Sequence, residues 1–363
     1  MRLGWLELTS FRTYDELRWE PDAGVNVLVG ANAIGKTNVL EAVGYLATLR
    51  SFRGVTDAAL IATGAEQAVV RGEITRGGSE ILIEVELPAG GRRRAQVNRQ
   101  RLSRVADMLG HVRMVAFLPD DLDIVKRGPT HRRDLLDSIA VQIWPGAHAD
   151  QQEFDRSLRQ RNSLLRQMGR DTDPVTLSVW DERLSQAGGK VMARRQSTLD
   201  AVAGVTTEMY RQLSSEQTTV TIDYRSTWNA EQAETEAGWC EALAAALAEA
   251  RRADLDRRVT TVGPHRDDPA VLLDDRDART HASQGEQRTV TLSLRLAAHR
   301  AIEAATGEPP LLLLDDVFSE LDLSRAGALS EALPSAQTFI TTARDEEVPV
   351  QGMRWMIGRG TIG

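Results

Sequence analysis

The sequence has little of what builds disulfide scaffolds, cysteine metal sites or membrane spans. Cys240 is the only cysteine among 363 residues, so neither an internal disulfide nor a cysteine-based metal cluster can form. No apolar run approaches the roughly 20 residues of a membrane-spanning helix, and the N-terminus MRLGWLELTSF has no long apolar segment typical of a signal peptide. We therefore expect a cytoplasmic protein.

An excess of positive charge is also missing. Lys and Arg number 44 against 52 Asp and Glu, which gives a net charge of −8 and a pI of about 5.4. This balance argues against a broadly basic nucleic-acid coat but leaves local basic patches open. The length exceeds that of most single domains, so we expect two domains or one large domain with an insertion.

The apolar pattern divides the chain into three parts. Residues 1–125 contain short apolar runs separated by glycine-rich turns, residues 126–258 are rich in Arg and Gln with apolar residues at helical spacing, and residues 259–363 return to alternating strands and helices. We predict an α/β fold in which both chain ends assemble one head and residues 126–258 form an inserted, mostly helical arm. Strands are expected at 3–8, 25–29, 68–74, 80–87, 112–118, 218–224, 311–314 and 338–341, and helices near 103–109 and from Gln284 onward.

The stretch GANAIGKT fits the phosphate-binding pattern G-x-x-x-x-G-K-[ST] between an apolar strand and a helix. In such loops the backbone amides surround nucleotide phosphates, Lys36 reaches the β- and γ-phosphates, and the Thr37 hydroxyl binds Mg²⁺. We predict an ATP and Mg²⁺ site with catalytic Lys36 and magnesium-binding Thr37. The residues assigned to nucleotide binding are Gly30, Ala31, Asn32, Ala33, Ile34, Gly35, Lys36, Thr37 and Asn38.

The segment LLLLDD ends an apolar strand in two carboxylates, as expected for a buried strand that delivers acids to a site at its C-terminal end. Beside a phosphate-binding loop, Asp315 is predicted to hold Mg²⁺ and Asp316 to orient or deprotonate the attacking water. The alternative is that both acids merely end a strand in solvent.

The segment SQGEQR at residues 283–288 begins a helix, where free amides and the helix dipole favour an anion. One nucleotide does not need two phosphate-binding sites on the same chain. The second site therefore indicates that ATP is held between two copies of the protein. The alternative is a capping box made by Ser283 and Glu286 alone.

Together, GANAIGKTN, SQGEQR and LLLLDDVFSELD resemble the ABC-type ATPase heads of the structural-maintenance-of-chromosomes class. The segments LTSFRTYDELRWE, NVLVGANAIGKTNVLEAVGYLATLRSFR, LPDDLDIVKRGPTHRRDLLD and TTVGPHRDD resemble the RecF family of bacterial recombination and repair proteins. This resemblance implies that Arg53 touches the nucleotide or senses DNA and that residues 319–322 cross a dimer interface. It also implies a signature motif that contacts the γ-phosphate across the dimer, formed by Ser283, Gly285 and Glu286.

Three departures from the wider ATPase pattern predict slow hydrolysis. Ala33 stands where many heads have glycine. The glutamine of the magnesium-contacting loop is missing, so Asp120 or Asp121 would have to substitute. The stretch FITTARDE has no switch histidine, and Thr341 or Thr342 would position the γ-phosphate instead. We therefore expect ATP to act mainly as a dimerisation switch.

Basic residues cluster in three windows without acids, at 92–104, 126–133 and 156–170. DNA backbone binding requires Lys and Arg on one face, and few aromatic residues interleave them here, so duplex or junction binding is favoured over stacking on single strands. For each window the alternative is a solvated charged surface. The candidate DNA contacts are Arg92, Arg93, Arg94, Arg99, Arg101, Lys126, Arg127, Arg132 and Arg133.

The resemblance implies a weak, DNA-stimulated and Mg²⁺-dependent ATPase of recombinational repair and replication-fork maintenance. Two heads joined by ATP would clamp duplex DNA near single-strand gaps, and the mediators RecR and RecO would then help to load the recombinase RecA. Two other classes share parts of the motif set: the nucleotide-binding subunit of an ABC transporter, and a P-loop kinase. Association with membranes, or phosphoryl transfer to a small acceptor, would distinguish them.

Overall fold

The computed structural model describes residues 1–226, 228 and 233–363, which form two compact units. The first unit contains Met1–Asp121, Met209–Glu216 and Leu292–Gly363, and the second contains Leu122–Glu208 and Gln217–Thr291. Both chain ends thus belong to one unit. Residues 259–291, which the sequence prediction placed in the C-terminal half of the head, lie in the second unit.

The first unit contains an antiparallel sheet in the order β2-β1-β4-β5-β6-β7. Apolar side chains alternate along β4 and β5, and the buried positions form one face, as a sheet covered on one side requires. The strands are β1 (Arg2–Phe11), β2 (Tyr14–Trp19), β4 (Gln67–Arg76), β5 (Ser79–Pro88), β6 (Arg94–Val97) and β7 (Gln100–Arg101).

A second six-stranded sheet of this unit has the order β15-β14-β3-β13-β12-β8 and is parallel except for β15. Four of its strands, β3, β8, β12 and β13, are almost wholly buried, which explains why they contain no charged residue except Asp315 at the end of β12. The C-terminal ends of β3, β13 and β12 lie at one edge, because parallel neighbours share a direction. The strands are β3 (Val25–Val29), β8 (Met114–Phe117), β12 (Leu311–Asp315), β13 (Thr338–Thr342), β14 (Met353–Gly358) and β15 (Thr361–Ile362).

Helix α1 (Lys36–Thr48) contacts strands of both sheets, and eleven of its thirteen residues are buried. Gln337 also joins the sheets, since its side chain accepts from the Leu3 amide at 2.7 Å and donates to the Leu3 carbonyl at 3.0 Å. The phosphate-binding loop therefore leads into a helix that is fixed between two sheets. The other helices with residues in this unit are α5 (Pro174–Ser214) from Met209 onward, α8 (Gln284–Thr306) from Leu292 onward, and α9 (Leu323–Ala332).

The second unit combines helices with a three-stranded antiparallel sheet in the order β11-β10-β9. Its core includes Phe154, Leu184, Trp239, Leu243 and Leu247. The helices are α2 (Asp123–Lys126), α3 (Pro129–Ile143), α4 (Ala147–Met168), α5 (Pro174–Ser214), α6 (Glu236–Arg257) and α7 (Ala278–His281), and the strands are β9 (Val220–Arg225), β10 (Asp268–Leu273) and β11 (Arg276–Asp277). Among the described residues, no helix combines the length and apolarity that a membrane span requires.

The predicted strands are confirmed to within a few residues at their ends, and α8 begins at Gln284 as expected. The helix predicted near residues 103–109 is wrong, because only the four-residue 3-10 turn Val105–Met108 forms there. Strands β2, β10 and β14 and the short strands β6, β7, β11 and β15 were not predicted. In β2 the charged residues Asp15, Glu16 and Arg18 conceal the alternation.

Candidate nucleotide site

The phosphate-binding loop connects β3 to α1 and requires glycine at its last turn. Gly35 has φ of 121°, and a Cβ atom there would lie 2.9 Å from Thr13 Oγ1 and 3.0 Å from Tyr14 Oη. The Tyr14 hydroxyl donates to the Gly35 carbonyl at 3.2 Å. The turn joining β1 to β2 therefore supports the loop, and no side chain larger than glycine fits at position 35.

Ala33 stands where many ATPase heads have glycine, and its backbone adopts a conformation that favours glycine. Its φ is 63°, in the left-handed region where glycine is favoured. The alanine Cβ carries a cost of about 1–2 kcal/mol in this conformation, which the surrounding loop must offset. The neighbouring Ala31 and Asn32 are exposed.

The Lys36 ammonium lies inside the loop. Its Nζ donates to the Gly30 carbonyl at 2.6 Å and the Ala31 carbonyl at 3.0 Å, and the residue is only 7% exposed. Burial lowers the pKa of Lys36, while the negative charges of Asp316 and Asp315 oppose the shift. The loop thus holds a cation between its own carbonyls and two carboxylates.

Asp315 is the meeting point of three elements. The Thr37 hydroxyl donates to Asp315 Oδ1 at 2.8 Å, and the Thr341 hydroxyl donates to the same oxygen at 2.7 Å. The first of these contacts joins residues 278 positions apart in sequence. The end of β12, the end of β13 and the start of α1 therefore converge, as the order of the parallel sheet requires.

Asp316 follows immediately in a strained backbone conformation. Its φ is 53°, its amide donates to Thr341 Oγ1 at 2.9 Å, and burial is the main cause that raises its pKa. Asp316 Oδ1 is buried and has no hydrogen-bond partner in the described part of the chain. Strain and an unpaired carboxylate oxygen at the end of a strand are typical of a functional site.

This set of side chains fits Mg²⁺ and a nucleotide phosphate. A threonine hydroxyl beside a carboxylate supplies the hard oxygen ligands that Mg²⁺ prefers, and Mg²⁺ in such sites takes few protein ligands because phosphate and water complete its shell. Among the described residues, no group of three or more His, Cys, Asp or Glu forms a separate metal site. Thr37, Asp315, Lys36 and Asp316 therefore form the candidate centre.

Arg53 lies beside the first turn of α1. Its guanidinium Nη1 donates to Asn38 Oδ1 at 3.3 Å, and Asn38 Nδ2 donates to Thr13 Oγ1 at 2.9 Å. Arg53 is exposed whereas Asn38 is buried. The structure thus brings together Asn38 and Arg53, which the sequence assigned to nucleotide binding from separate motifs.

The signature segment at the start of α8 lies in the second unit. The Ser283 amide donates to Glu286 Oε2 at 2.6 Å, and the Glu286 amide donates to Ser283 Oγ at 3.3 Å. These reciprocal bonds are a capping box, which was the alternative interpretation of this segment. Gly285 occupies the first turn of the same helix.

Of the four residues considered as replacements for missing ATPase motifs, three have protein partners, and one of these is Thr341, which donates to Asp315. Asp121 accepts from the Leu118 amide at 2.9 Å and from Arg295 Nε at 3.0 Å, whereas Asp120 is exposed. The Thr342 hydroxyl donates to the Arg344 carbonyl at 2.9 Å and Glu347 Oε2 at 3.1 Å. Thr341 is therefore the threonine that faces the acids of the site.

The first basic window forms the β6–β7 hairpin. Arg92, Arg99 and Arg101 are exposed and have no ion pair with any described residue, and Arg99 lies in the turn with φ of 64°. Arg94 pairs with Glu86 at 3.0 Å. Arg93 has another role, because its Nη1 donates to the Tyr45 hydroxyl at 3.1 Å and to a backbone carbonyl at the end of α1.

The second basic window is less available for a ligand. Lys126 is exposed, and Arg127 pairs with Asp123 at 2.8 Å. Arg132 is 5% exposed and pairs with Asp268 at 2.7 Å, and Arg133 donates to the Asp267 carbonyl at 2.7 Å. The burial of Arg132 means that this side chain holds β10 and is not presented to a DNA backbone.

Four residues around the site were not singled out from the sequence: Thr13, Tyr14, Glu41 and Ser51. Glu41 carried the clearest signal, because an acid between apolar positions of α1 must find a buried partner. The partners themselves come from separate turns, and sequence spacing does not reveal them.

Comparison with known families gives the class. The family model described as RecF/RecN/SMC N terminal domain matches residues 2–357. A solved Smc head bound to the C-winged helix domain of ScpA covers the whole chain with a TM-score of 0.58 at 17% identity, a likeness of fold alone. The fold and site thus define an ABC-type ATPase head of the RecF/RecN/SMC class, which confirms the predicted fold class.

Full-length relatives narrow this class. The chain is 41% identical to the "DNA replication and repair protein RecF" of Acidothermus cellulolyticus and 39% identical to that of Streptomyces avermitilis, covering 100% of this chain and 99% of each relative. A solved structure described as the recombination mediator protein RecF with ATPrS in the RecFOR pathway has a TM-score of 0.92 at 32% identity, covering 99% of this chain and 97% of that one. The chain belongs to the RecF family.

Proposed function

We propose that this chain is an ATP-dependent DNA-binding protein of recombinational repair and replication-fork maintenance, in which ATP joins two heads around duplex DNA. The observation that carries the proposal is the convergence of Thr37, Thr341 and Asp315 beside Lys36 and the unpaired Asp316 oxygen. The solved relatives named RecF with ATP and with ATPrS support the choice of nucleotide.

In this proposal each residue of the site has a distinct role. Bound MgATP supplies a phosphoryl group that water can accept. Lys36 neutralises negative charge on the phosphates, Thr37 and Asp315 hold Mg²⁺, and Asp316 orients the attacking water or takes its proton. The buried Asp316 Oδ1 supports that role, because no protein donor occupies this oxygen among the described residues.

Dimerisation would use the signature segment of the second copy. The start of a 23-residue helix directs free amides and a partial positive charge outward, which favours a phosphate supplied by the other head. Slow hydrolysis fits the end of β13, where Thr341 stands in place of a histidine and is already bonded to Asp315. ATP would then act mainly as a switch, with hydrolysis releasing the clamp.

DNA would contact the exposed arginines of the β6–β7 hairpin, together with Lys126 and Arg127. These side chains recognise phosphates and carry no sequence preference. By the family relationship, we propose duplex next to single-strand gaps as the target, RecR and RecO as partners, and RecA loading as the outcome. Family membership does not favour the transporter alternative.

The test combines DNA binding with oligomeric state. Fluorescence anisotropy of duplex and gapped DNA, with light scattering in parallel, should show ATP-dependent dimers that bind tightly, and both effects should disappear in Lys36→Ala. Lys190→Ala, at a half-exposed lysine of the second unit, is the control. ATP binding without dimers and without a change in DNA affinity would contradict the switch and reopen the kinase alternative.

A further inference from the structure

One face of α1 contacts the segment that carries Arg53 at three successive positions. Residues 38, 41 and 44 are three apart and therefore share a helix face. They meet Arg53, Ser51 and Phe52 respectively. This segment, residues 51–54, follows α1 and belongs to neither helix nor strand.

Glu41 is the central contact of this face. The residue is 0% exposed, and its two oxygens accept from Arg12 Nε at 2.8 Å and Arg12 Nη2 at 2.9 Å. Glu41 Oε1 also accepts from the Ser51 hydroxyl at 2.5 Å. A carboxylate buried with full pairing has one orientation, so it also fixes the orientation of the hydroxyl that it receives.

Ser51 in turn holds the backbone of Arg53 by a hydrogen bond. Because the hydroxyl hydrogen points to Glu41, the oxygen is free to accept the Arg53 amide at 3.1 Å. The Gly54 amide donates to the Ser51 carbonyl at 3.1 Å and closes the turn. The backbone amide of Arg53 is therefore held by a buried hydroxyl, which is its one side-chain partner in the described part of the chain.

Gly44 supplies the second anchor. The Phe52 ring lies against the helix so closely that a Cβ atom at Gly44 would be 3.1 Å and 3.3 Å from two ring carbons. Glycine here permits the close approach of the ring, and its ordinary φ shows that the backbone conformation does not require glycine. The two anchors flank Arg53 in sequence and leave its guanidinium at Asn38, directly after the phosphate-binding loop.

We propose that Glu41, Ser51 and Gly44 are positioning residues that hold the Arg53 guanidinium beside the phosphate-binding loop and thereby set the affinity for ATP. The inference rests on the proposed function, since it requires Arg53 to act on bound nucleotide. The three residues act through Arg53 and touch no substrate themselves.

A double-mutant cycle on the full-length chain tests the proposal, with the Kd of a fluorescent ATP analogue in Mg²⁺ as the measurement. Ser51→Ala should weaken binding about three- to tenfold, and Arg53→Ala should weaken it at least as much. In the Arg53→Ala background, Ser51→Ala should add less than about twofold. Ser330→Ala removes a half-buried hydroxyl that bonds only within α9, and serves as the matched control.

Gly44→Ala gives a second cycle that leaves the buried charges untouched. The added methyl group should displace the Phe52 ring and weaken ATP binding about two- to fivefold, again only when Arg53 is present. A purely structural role would instead make each effect persist in the Arg53→Ala background, and this result would overturn the inference.

Wild-type affinity in Arg53→Ala would also overturn the inference while leaving the proposed function intact, provided that Lys36→Ala no longer binds. Failure of the wild-type chain to bind ATP would overturn the proposed function itself. The two failures are therefore distinguishable in one set of titrations.

Discussion

The chain contains two candidate phosphate sites that are constructed in different ways. At the first, Thr37 and Asp315 are joined across 278 sequence positions, and the parallel sheet that contains β3, β13 and β12 brings them together. At the second, Ser283 and Glu286 satisfy each other within one helical turn. The contacts of the first site join α1, β12 and β13, whereas those of the second lie within four consecutive residues.

This difference shows what each motif can establish by itself. The contacts of Asp315 have no local explanation, because they join this residue to hydroxyls 278 and 26 positions away in sequence. The contacts of Ser283 have a sufficient local explanation, since a capping box stabilises any helix start. The role of the signature segment must therefore be separated from capping by experiment.

The largest effect is expected from Asp316→Asn, which tests the long-range site. The substitution keeps the size of the side chain but removes its basicity, so ATP hydrolysis should fall about 100- to 1000-fold while ATP affinity changes less than about threefold. Single-turnover kinetics and equilibrium binding measure the two quantities. Asp345→Asn, at an exposed carboxylate paired with Arg354, is the control. A rate within tenfold of wild type would exclude Asp316 from water activation.

The next effect distinguishes phosphate binding from capping at Ser283. Ser283→Asp preserves a good N-cap and adds a negative charge, whereas Ser283→Ala removes the cap without adding charge. If a phosphate from the second copy binds there, Ser283→Asp should reduce ATP-dependent dimerisation more than about tenfold at unchanged Tm. Light scattering with ATP and a thermal melt test this expectation. Normal dimers with aspartate at this position would leave only the capping role.

The sequence was sufficient for the phosphate-binding loop, β12 and the start of α8, because each combines a strong local pattern with a known geometry. The sequence predicted the partners of Asp315 only in part. Thr37 was assigned to the metal, and Thr341 was one of two threonines considered at the end of β13. Only the register of β12 against β13, which places Thr341 opposite Asp315, selects Thr341, and that register is a property of the folded sheet.

The burial of Arg132 and the place of β14 could not be predicted from the sequence. For Arg132 the reason is that a charged residue has several possible partners. The sequence analysis named Arg132 as a candidate DNA contact of the second basic window, which requires an exposed side chain. In the structure Arg132 is buried against Asp268, more than 130 positions away. Strand β14 carries exposed Met353 and Met356 and has no clear alternation, so its place beside β3 comes from pairing in three dimensions.

A smaller effect is expected from the basic hairpin. The double variant Arg99→Ala and Arg101→Ala should weaken duplex binding about three- to tenfold. It should also reduce the slope of log affinity against log salt by about 1 to 2, because binding with fewer phosphate contacts releases fewer counterions from the DNA. Anisotropy titrations at several salt concentrations measure both quantities. Arg225→Ala, at an exposed arginine paired with Asp223, is the control. An unchanged salt slope would remove the hairpin from the DNA contact.

The smallest effect is expected in the pH dependence of the free energy of unfolding. It tests whether the long-range site depends on one buried histidine, His299. His299 Nε2 donates to the carbonyl of Pro310 at 3.0 Å, directly before β12, and burial lowers the pKa of His299 to about 4, with Arg300 adding to the shift. Between the unfolded pKa of about 6.5 and the folded pKa of about 4, the unfolded chain binds a proton at His299 and the folded chain does not. The contribution of neutral His299 to the free energy of unfolding is therefore complete above pH 6.5 and declines toward pH 4.

His299→Gln keeps a donor for the Pro310 carbonyl and removes the titration, so the loss of unfolding free energy between pH 7 and pH 5 should shrink by about 1–2 kcal/mol. Urea denaturation at the two pH values, followed by tryptophan fluorescence, measures it. His265→Gln is the matched variant in the second unit, where burial lowers the pKa of His265 to about 4. If ATP binding at pH 5 is better retained in His299→Gln than in His265→Gln, acid acts on the strand that carries Asp315. Equal retention would mean that the long-range site is no more acid-sensitive than the second unit.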